Sequence, residues 1–436
     1  MTPSVSLPVS ETRGPRLFPG SYLFGTSPER LIASLPSSPA PAPEETVANS
    51  LLSHRVFDRQ IRLWGVESQR RLLSSHVLLV GLTSIHVELA KNLALSGVRV
   101  SVCDSRLVGE VDFSFNFLVN RDAEGQRVAT VSLAGLREMA PFVVFEEVAE
   151  SEFQRLLASL REQDTGAKTQ QSTGDQDAGH AVQFVQRFAA ISVASEFYPL
   201  SSLAPLDALC RRLNVALCSC HCSGTLGFGF LDFHHHTFRV PAPKAQTSQA
   251  AGGKATATNG EEESRPHHVM REISFPSLDD MLHCSLGNAD RKVDPAIFIY
   301  LTLEKWLADK DAKGENEQEN GTLSRLLPLP RYDIHPEDEE FAEFAQQLLR
   351  HEGGPAAAAC EQSPTLLKTL PMMWGCQYTV TAAVVGGILA QELRKYITKE
   401  QEPIPNCLVF NSETSTAAVA SLPPPGVSVS ALKTAV

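Results

Sequence analysis

The chain has 436 residues, 43% of them hydrophobic, with 38 basic against 50 acidic side chains for a formal charge of −12. That length and apolar share suffice for one large or two moderate cores. The acidic balance, with no Arg/Lys stripe interleaved with aromatics, argues against a broad nucleic-acid surface.

Residues 1–50 are rich in Pro, Ser and Ala, lack the continuous apolar core of a signal peptide, and read as a disordered extension. Folded sequence is expected from His54. Phe57 to Gly65 read F-D-R-Q-I-R-L-W-G, a strand follows at His76 to Val80, and a turn runs from Gly81 to His86. The next helix is predicted from Ile85 to Ser96, stopped by Gly97. A dinucleotide-type turn wants G-x-G-x-x-G here, so that backbone N–H groups can approach phosphate and the helix can lie close to the sheet. Only Gly81 remains. Thr83 and His86 put side chains where phosphate needs bare backbone. A second strand, Arg99 to Cys103, leads to Asp104, about twenty residues past the turn, where such folds place the ribose-binding acid. The frame is kept and the cradle is not, which favours a degenerate nucleotide site over a working one with unusual turn chemistry.

An aromatic-rich connection, Phe113 to Leu118, precedes a predicted helix from Gln126 to Met139 and a strand-like alternation from Phe142 to Val148. Residues 164–180, rich in Gln, Asp, Gly and Thr, read as a mobile insertion. The α/β rhythm then resumes with a strand near Phe188 to Val193, a helix near Pro205 to Leu213 and a strand at Val215 to Cys220. Cys218, Cys220 and Cys222 alternate at period two, which puts three thiols on one strand face; a buried strand is favoured over a zinc site, whose ligands are usually spaced more widely. Ser223 to Phe233 mixes glycine with alternating aromatics, as a bent strand or hairpin does. His234, His235 and His236, with His267 and His268 across a loop, read as a solvated or half-buried strand end. No metal site is expected. Nine cysteines without a C-x-x-C pair suit a reducing compartment.

Residues 241–267 form a Pro/Ala/Gly/Ser tract too polar to pack a core and read as a disordered loop. Order is expected again at Ile273 to Leu278, in a core helix from Ala296 to Leu307, and after a charged spacer at Asp309 to Gly321. The last folded block starts near Leu366. In its helix, Thr379 to Ile397, the adjacent Gly386 and Gly387 each cost about 1 kcal/mol relative to alanine, so close approach of another helix or backbone is expected. The division is therefore 51–240, 241–267, 268–365 and 366–422, with a tail at 423–436. No apolar run reaches the ~18 residues of a membrane helix, and the protein is expected to be soluble and intracellular.

Asp58 to Gly65, the strand, the defective turn and Glu88-Leu-Ala-Lys-Asn-Leu93 together resemble the start of the activating enzymes of ubiquitin-like modifiers. The run Ala383 to Leu393, A-V-V-G-G-I-L-A-Q-E-L, is similar to the late helix of that family, and a strand at Cys407 to Asn411 follows it. The two anchors are specific in order and spacing. Between them the likeness is patchy, covering roughly 55–160, 184–240, 268–306 and 370–422. Within the family the resemblance is to the smaller, non-catalytic, Aos-type subunit of the SUMO-activating enzyme.

That resemblance implies an α/β fold: a Rossmann-like, ThiF-type pseudo-adenylation domain with a mostly parallel sheet, an antiparallel extension and disordered insertions. It implies an obligate heterodimer with a catalytic subunit that binds Mg-ATP, SUMO as the activated modifier, and nuclear residence with the cytoplasm also open. This chain would bind no cofactor alone. Arg59 matches the arginine that the non-catalytic half inserts into its partner's ATP site; as an isolated dipeptide it would read as a mate of Asp58 or of a helix end. Arg62 is the second choice, and Trp64 is expected to pack the N-terminal helix on the sheet. Asp104 becomes a relic or a helix-capping acid. Phe115 and Asn116 stand where a catalytic half shows Asn-x-x-Arg, Arg121 is displaced, and Gly125 to Ala129 lacks a working half's lysine. No cysteine context resembles the transthiolation nucleophile, Cys284 and Cys360 being candidates by location only. The late glycine helix reads equally as core or, by resemblance, as part of the partner surface. Competing readings are the corresponding subunit for the cullin modifier, usually with a longer helical insert; a self-sufficient sulfur-carrier type enzyme, which needs the absent glycines and lysine; and a pure scaffold, for which Arg59 is dispensable.

Overall fold

The computed structural model describes residues 55–164, 171–241, 268–313 and 336–422. The expected extension at 1–50, the loop at 241–267 beyond Pro241, and the tail at 423–436 lie outside the described residues. Eight strands form one sheet: β1 (His76–Val80), β2 (Arg99–Cys103), β3 (Phe145–Glu147), β4 (Ala190–Ala194), β5 (Ala216–Ser223), β6 (Leu226–Asp232), β9 (Cys407–Asn411) and β10 (Thr416–Ala420), in the spatial order β10-β9-β6-β5-β4-β1-β2-β3. A separate ribbon pairs β7 (His235–Pro241) with β8 (His268–Ser274).

The strands from β3 to β5 run parallel, and β6, β9 and β10 extend the sheet antiparallel. The reason is local. Strands β1 and β4 are buried at every residue, as parallel strands covered on both faces must be. After β5 the chain reverses at Gly224, whose φ of 57° closes a two-residue hairpin into β6. Side chains alternate between two cores, Leu78 and Val80 entering one and Val77 and Leu79 the other. Cys218, Cys220 and Cys222 all enter the second, as the period-two spacing requires.

One face carries helices α1 (Asp58–Ser74), α2 (Ser84–Leu95), the single turn α3 (Asp112–Phe115) and α4 (Val128–Met139). The other is covered by α5 (Glu150–Asp164), α6 (Gln171–Gln186), α7 (Leu200–Leu213), α8 (Leu278–Leu282), α9 (Pro295–Lys313), α10 (Pro336–Glu352), α11 (Gly354–Gln362) and α12 (Pro364–Met372). The last helix, α13 (Thr379–Thr398), returns to the first face and packs along α2. No helix among the described residues is long and apolar enough to cross a membrane.

Three elements depart from the sequence reading. The insertion at 164–180 is helical from Gln171, because Ala181, Phe184 and Val185 bury against the sheet and propagate the helix back through the polar tract; residues 165–170 lie outside the described residues. Helix α7 starts at Leu200 rather than Pro205, its first N–H donating to Glu304 Oε2 at 3.2 Å from α9. The spacer from Asp309 is helical to Lys313, the rest of it lying outside the described residues. In the first two cases a tertiary partner, distant in sequence, sets the boundary.

The two adjacent glycines of α13 have different jobs. A Cβ on Gly386 would lie 2.8 Å from Glu88 Cβ and 2.9 Å from the Ile85 carbonyl oxygen of α2, whereas one on Gly387 meets nothing within 4 Å. Gly386 is therefore what lets the helices touch. Gly386→Ala is expected to destabilise the protein by about 1–3 kcal/mol through overpacking, while Gly387→Ala is neutral or stabilising by up to about 1 kcal/mol. Urea denaturation of both variants checks this, and equal costs would contradict the contact.

Candidate functional site

In an open α/β sheet, ligands sit beyond the carboxyl ends of the strands, where neighbouring strands connect in opposite directions. Here that crevice lies between β1, which leads through α2 to β2, and β4, which leads through α7 to β5. The turn Gly81 to Ser84 occupies it.

Most polar groups of this turn have an internal partner, the buried Thr83 Oγ1 being the exception among the described residues. Gly81, at φ +77°, donates its N–H to the Cys103 carbonyl at 2.9 Å, and a Cβ on it would collide with the Phe197 ring at 2.6 Å. The Leu82 N–H donates to Asp104 Oδ2 at 2.7 Å. Ser84, the first residue of α2, donates both its N–H (2.9 Å) and its hydroxyl (2.6 Å) to Oε1 of Gln377, from the segment before α13. A helix N-terminus is a ready anion site. Here a side-chain amide oxygen takes that place. His86 Nδ1 faces the Gly81 carbonyl, which can only accept, so Nδ1 carries the proton and Nε2 accepts from Ser192 Oγ at 2.9 Å. Burial holds its pKa down to about 4, and the neutral imidazole staples the turn to β4.

Asp104 is neither a free acid nor a helix cap, which corrects the second sequence reading of it. Arg106 folds back on it, donating through its backbone N–H (3.0 Å) to Oδ1 and through Nη2 (2.8 Å) to Oδ2, while Nη2 also reaches the Leu82 carbonyl at 3.2 Å and Nη1 lies 3.4 Å from Asp112 Oδ1. The guanidinium stacks over the Phe197 ring at 5.1 Å. Arg106 is 6% exposed and Asp104 1%. Burial works against the Arg106 charge, but the carboxylates of Asp104 and Asp112 outweigh it and its pKa is raised.

Behind the turn runs a buried polar chain. Glu196 Oε1 accepts from the Cys222 N–H (2.9 Å) and Gln377 Nε2 (3.3 Å), while Oε2 has no hydrogen-bond partner. His221 Nε2 accepts from the Gly375 N–H at 3.3 Å, so its Nδ1 holds the proton facing Ser195 Oγ at 3.2 Å, 4.0 Å from Glu196 Oε2. Ser195 Oγ meets the Tyr300 hydroxyl at 3.0 Å, and Tyr300 donates to Glu304 at 2.9 Å. Burial pushes Glu196 and Glu304 up to about 7 and His221 down to about 3. An acid at about 7 when folded, against a usual 4.5, binds more protons in the fold; its stabilisation is full below 4.5 and is lost as pH rises through 7. Glu196→Gln stays neutral, so its stability relative to the parent is expected to increase from about pH 5 to about pH 8. Both proteins share the opposing histidines and Glu304, so the difference isolates Glu196; thermal melts across pH check it, and a constant gap would contradict it.

The other expected residues are scattered. Asn116 is buried, its Nδ2 donating to Ser132 Oγ at 3.0 Å, and Phe115 is buried beside it. Arg121 pairs with Glu110 on the surface, and Arg127 pairs with Glu147 at 2.7 Å. Cys284 is buried and pushed up to about 11 by burial, and Cys360 is buried and also raised, so neither thiol favours thiolate. His234 and His236 are buried while His235 is exposed, and among the described residues no group of three His, Cys, Asp or Glu side chains could hold a metal; His267 lies outside the described residues.

Arg59 stands apart from the crevice, on the first half of α1. It is exposed and makes no hydrogen bond or ion pair among the described residues; Asp58 pairs with Arg62 at 3.0 Å instead. Trp64 is half-buried against the core of the sheet face that α1 covers, in line with expectation, and its indole lies under the Arg394 guanidinium of α13 at 5.1 Å; Gly65, at φ 85°, breaks the helix directly after it. Arg106 and Gln377 went unnoticed in the sequence. Arg106, two residues after the acid, was findable; Gln377 lies 293 residues from Ser84 and no local pattern marks it.

The ThiF family model matches residues 57–426. SUMO-activating enzyme subunit 1 of Xenopus tropicalis is 27% identical over 83% of this chain and 94% of its own length. The aos-1 subunit of Caenorhabditis elegans is 23% identical over 85% and 97%, and subunit 1B-1 of Arabidopsis thaliana 23% over 84% and 95%. With that model spanning the sheet from before β1 to past β10, and with turn and acid at the carboxyl ends of β1 and β2, the chain belongs to the ThiF family.

Proposed function

We propose that this chain is the non-catalytic subunit of a heterodimeric SUMO-activating enzyme, holding no nucleotide itself and lending Arg59 to the Mg-ATP site of a catalytic partner. The observation that carries this reading is a contrast. The crevice of this chain is filled by Phe197, Arg106 and Gln377, while Arg59, inside the F-D-R-Q-I-R-L-W-G motif, is exposed and makes no hydrogen bond or ion pair among the described residues. The residues here do not fit a nucleotide phosphate: the helix N-terminus is taken, the second and third turn positions carry side chains, and the ribose-position acid is bonded to arginine. Relatives named SUMO-activating enzyme subunit 1, matched over nearly their whole length, support the choice of modifier.

Activation joins the modifier's C-terminal carboxylate to the α-phosphate of ATP with release of pyrophosphate, and then passes the acyl group to a cysteine thiolate with release of AMP. Negative charge gathers at phosphorus, and a guanidinium brought in at short range stabilises it. Both candidate thiols here are buried and held protonated, so the acceptor cysteine belongs to the partner on this reading. Nuclear residence goes with the same assignment.

The test is to co-purify the chain with a candidate catalytic subunit and follow ATP-dependent thioester formation with SUMO and with the cullin modifier. Selective SUMO loading on the partner's cysteine supports the proposal. Loading of the other modifier alone moves the chain to that pathway, and ATP binding by the isolated chain contradicts the filled crevice.

A further inference from the structure

Helix α2 ends at Leu95, and the last carbonyls of a helix have no partner within it. The following backbone serves some: Ser96 N–H donates to the Asn92 and Leu93 carbonyls (3.2 and 3.0 Å), Gly97 N–H to Ala94 (2.9 Å) and Val98 N–H to Leu93 (3.1 Å). The Leu95 and Ser96 carbonyls are taken by side chains. Gln60 Nε2 donates to Leu95 and Gln69 Nε2 to Ser96, each at 3.0 Å, one glutamine from each half of the broken helix α1.

These bonds fix the half that carries Arg59. Gln69 Oε1 accepts from Trp64 Nε1 at 3.1 Å, tying the end of that half to the same carbonyl row. At its start the buried Phe57 ring packs beside Gly97 and edge-on to Phe142, 6.2 Å away. Residues 58–64 are thus held at three points even though the Gly65 break removes helical continuity with the rest of α1. Arg59 lies between two of these anchors and makes no hydrogen bond or ion pair of its own among the described residues. Its position is inherited from them.

We propose that Gln60, supported by the Trp64–Gln69 relay, is a positioning residue for Arg59: by clamping the first half of α1 to the C-terminal carbonyls of α2 it sets where the guanidinium is presented to the partner. The inference rests on the reading of Arg59 given above. The alternative is a cap that only stabilises α2. A cap acts equally whether or not Arg59 is present, while a positioning residue acts only through it.

The experiment uses the assembled heterodimer and measures SUMO-dependent ATP–pyrophosphate exchange. Gln60→Glu keeps the shape, removes the donor and sets a negative charge against the negative end of a helix; Gln60→Lys keeps a donor there. Gln60→Glu is expected to lower kcat about tenfold with the KM for ATP little changed. Gln60→Lys is expected to recover most of that loss. In an Arg59→Ala background, Gln60→Glu should add no further loss. If Gln60→Glu does not assemble with the partner, Gln60→Ala carries the same comparison. The proposal is overturned if Gln60→Glu slows both backgrounds equally, or slows neither, while Arg59→Ala is itself slow. If Arg59→Ala is as fast as the parent, the reading of Arg59 fails first and takes this one with it.

Discussion

Arg59→Ala is expected to slow SUMO adenylation by the assembled heterodimer about a hundredfold, with the complex still forming at equal stoichiometry. The magnitude is that of removing one preorganised donor aimed at charge developing in a water-excluded site. The prediction separates chemistry from folding because Arg59 is exposed and makes no hydrogen bond or ion pair among the described residues, so its loss leaves no buried partner stranded there. Arg59→Lys should recover little of the rate, since an ammonium lacks the planar fork that engages two phosphate oxygens together. The neighbouring Arg62→Ala should cost far less, because Arg62 is already paired with Asp58. Pyrophosphate exchange and single-turnover thioester formation give the numbers. An Arg59→Ala complex as fast as the parent would make this chain a scaffold.

Arg106→Met is expected to destabilise the chain by about 3–5 kcal/mol, the range for breaking a buried ion pair from one side. The side chain pairs with two buried carboxylates, Asp104 and Asp112, and also satisfies the Leu82 carbonyl. Removing it leaves two acids in a dry site, each of which must take up a proton or draw in water. The triple change Arg106→Met, Asp104→Asn, Asp112→Asn should recover much of the loss, because it removes the charges as well as their partner. Thermal melts of the single and triple variants decide this. A single variant melting with the parent would mean that the cluster is solvated in solution and that Arg106 does not seal the crevice.

Much of the frame was legible. The largely apolar runs at His76 to Val80, Arg99 to Cys103 and Cys407 to Asn411 are strands with the expected bounds, because short, β-branched-rich segments buried on nearly every residue stand out from the polar sequence around them. The loss of the phosphate glycines was visible too, since Thr83 and His86 change what the turn can present to a ligand. Boundaries failed where a remote group made them: Leu200 begins a helix because Glu304 accepts its N–H, and Gln171 to His180 are helical because Phe184 and Val185 are anchored further on. Of the adjacent glycines the sequence implied a close contact, but only packing shows that Gly386 makes it and Gly387 does not.

The sequence by itself determined the α/β frame, the broken turn and the arginine motif, since all three are written in short runs whose periodicity or residue type acts locally. The tertiary structure alone decided how the crevice is filled: which amide caps α2, which cation answers Asp104, which ring covers Gly81 and what holds Arg59 in place. Those contacts join residues as far apart as Ser84 and Gln377. A hydrogen bond or an ion pair depends on atoms meeting within about 3 Å, and that meeting is set by the packing of the whole sheet and its helices, not by the residues on either side in the chain.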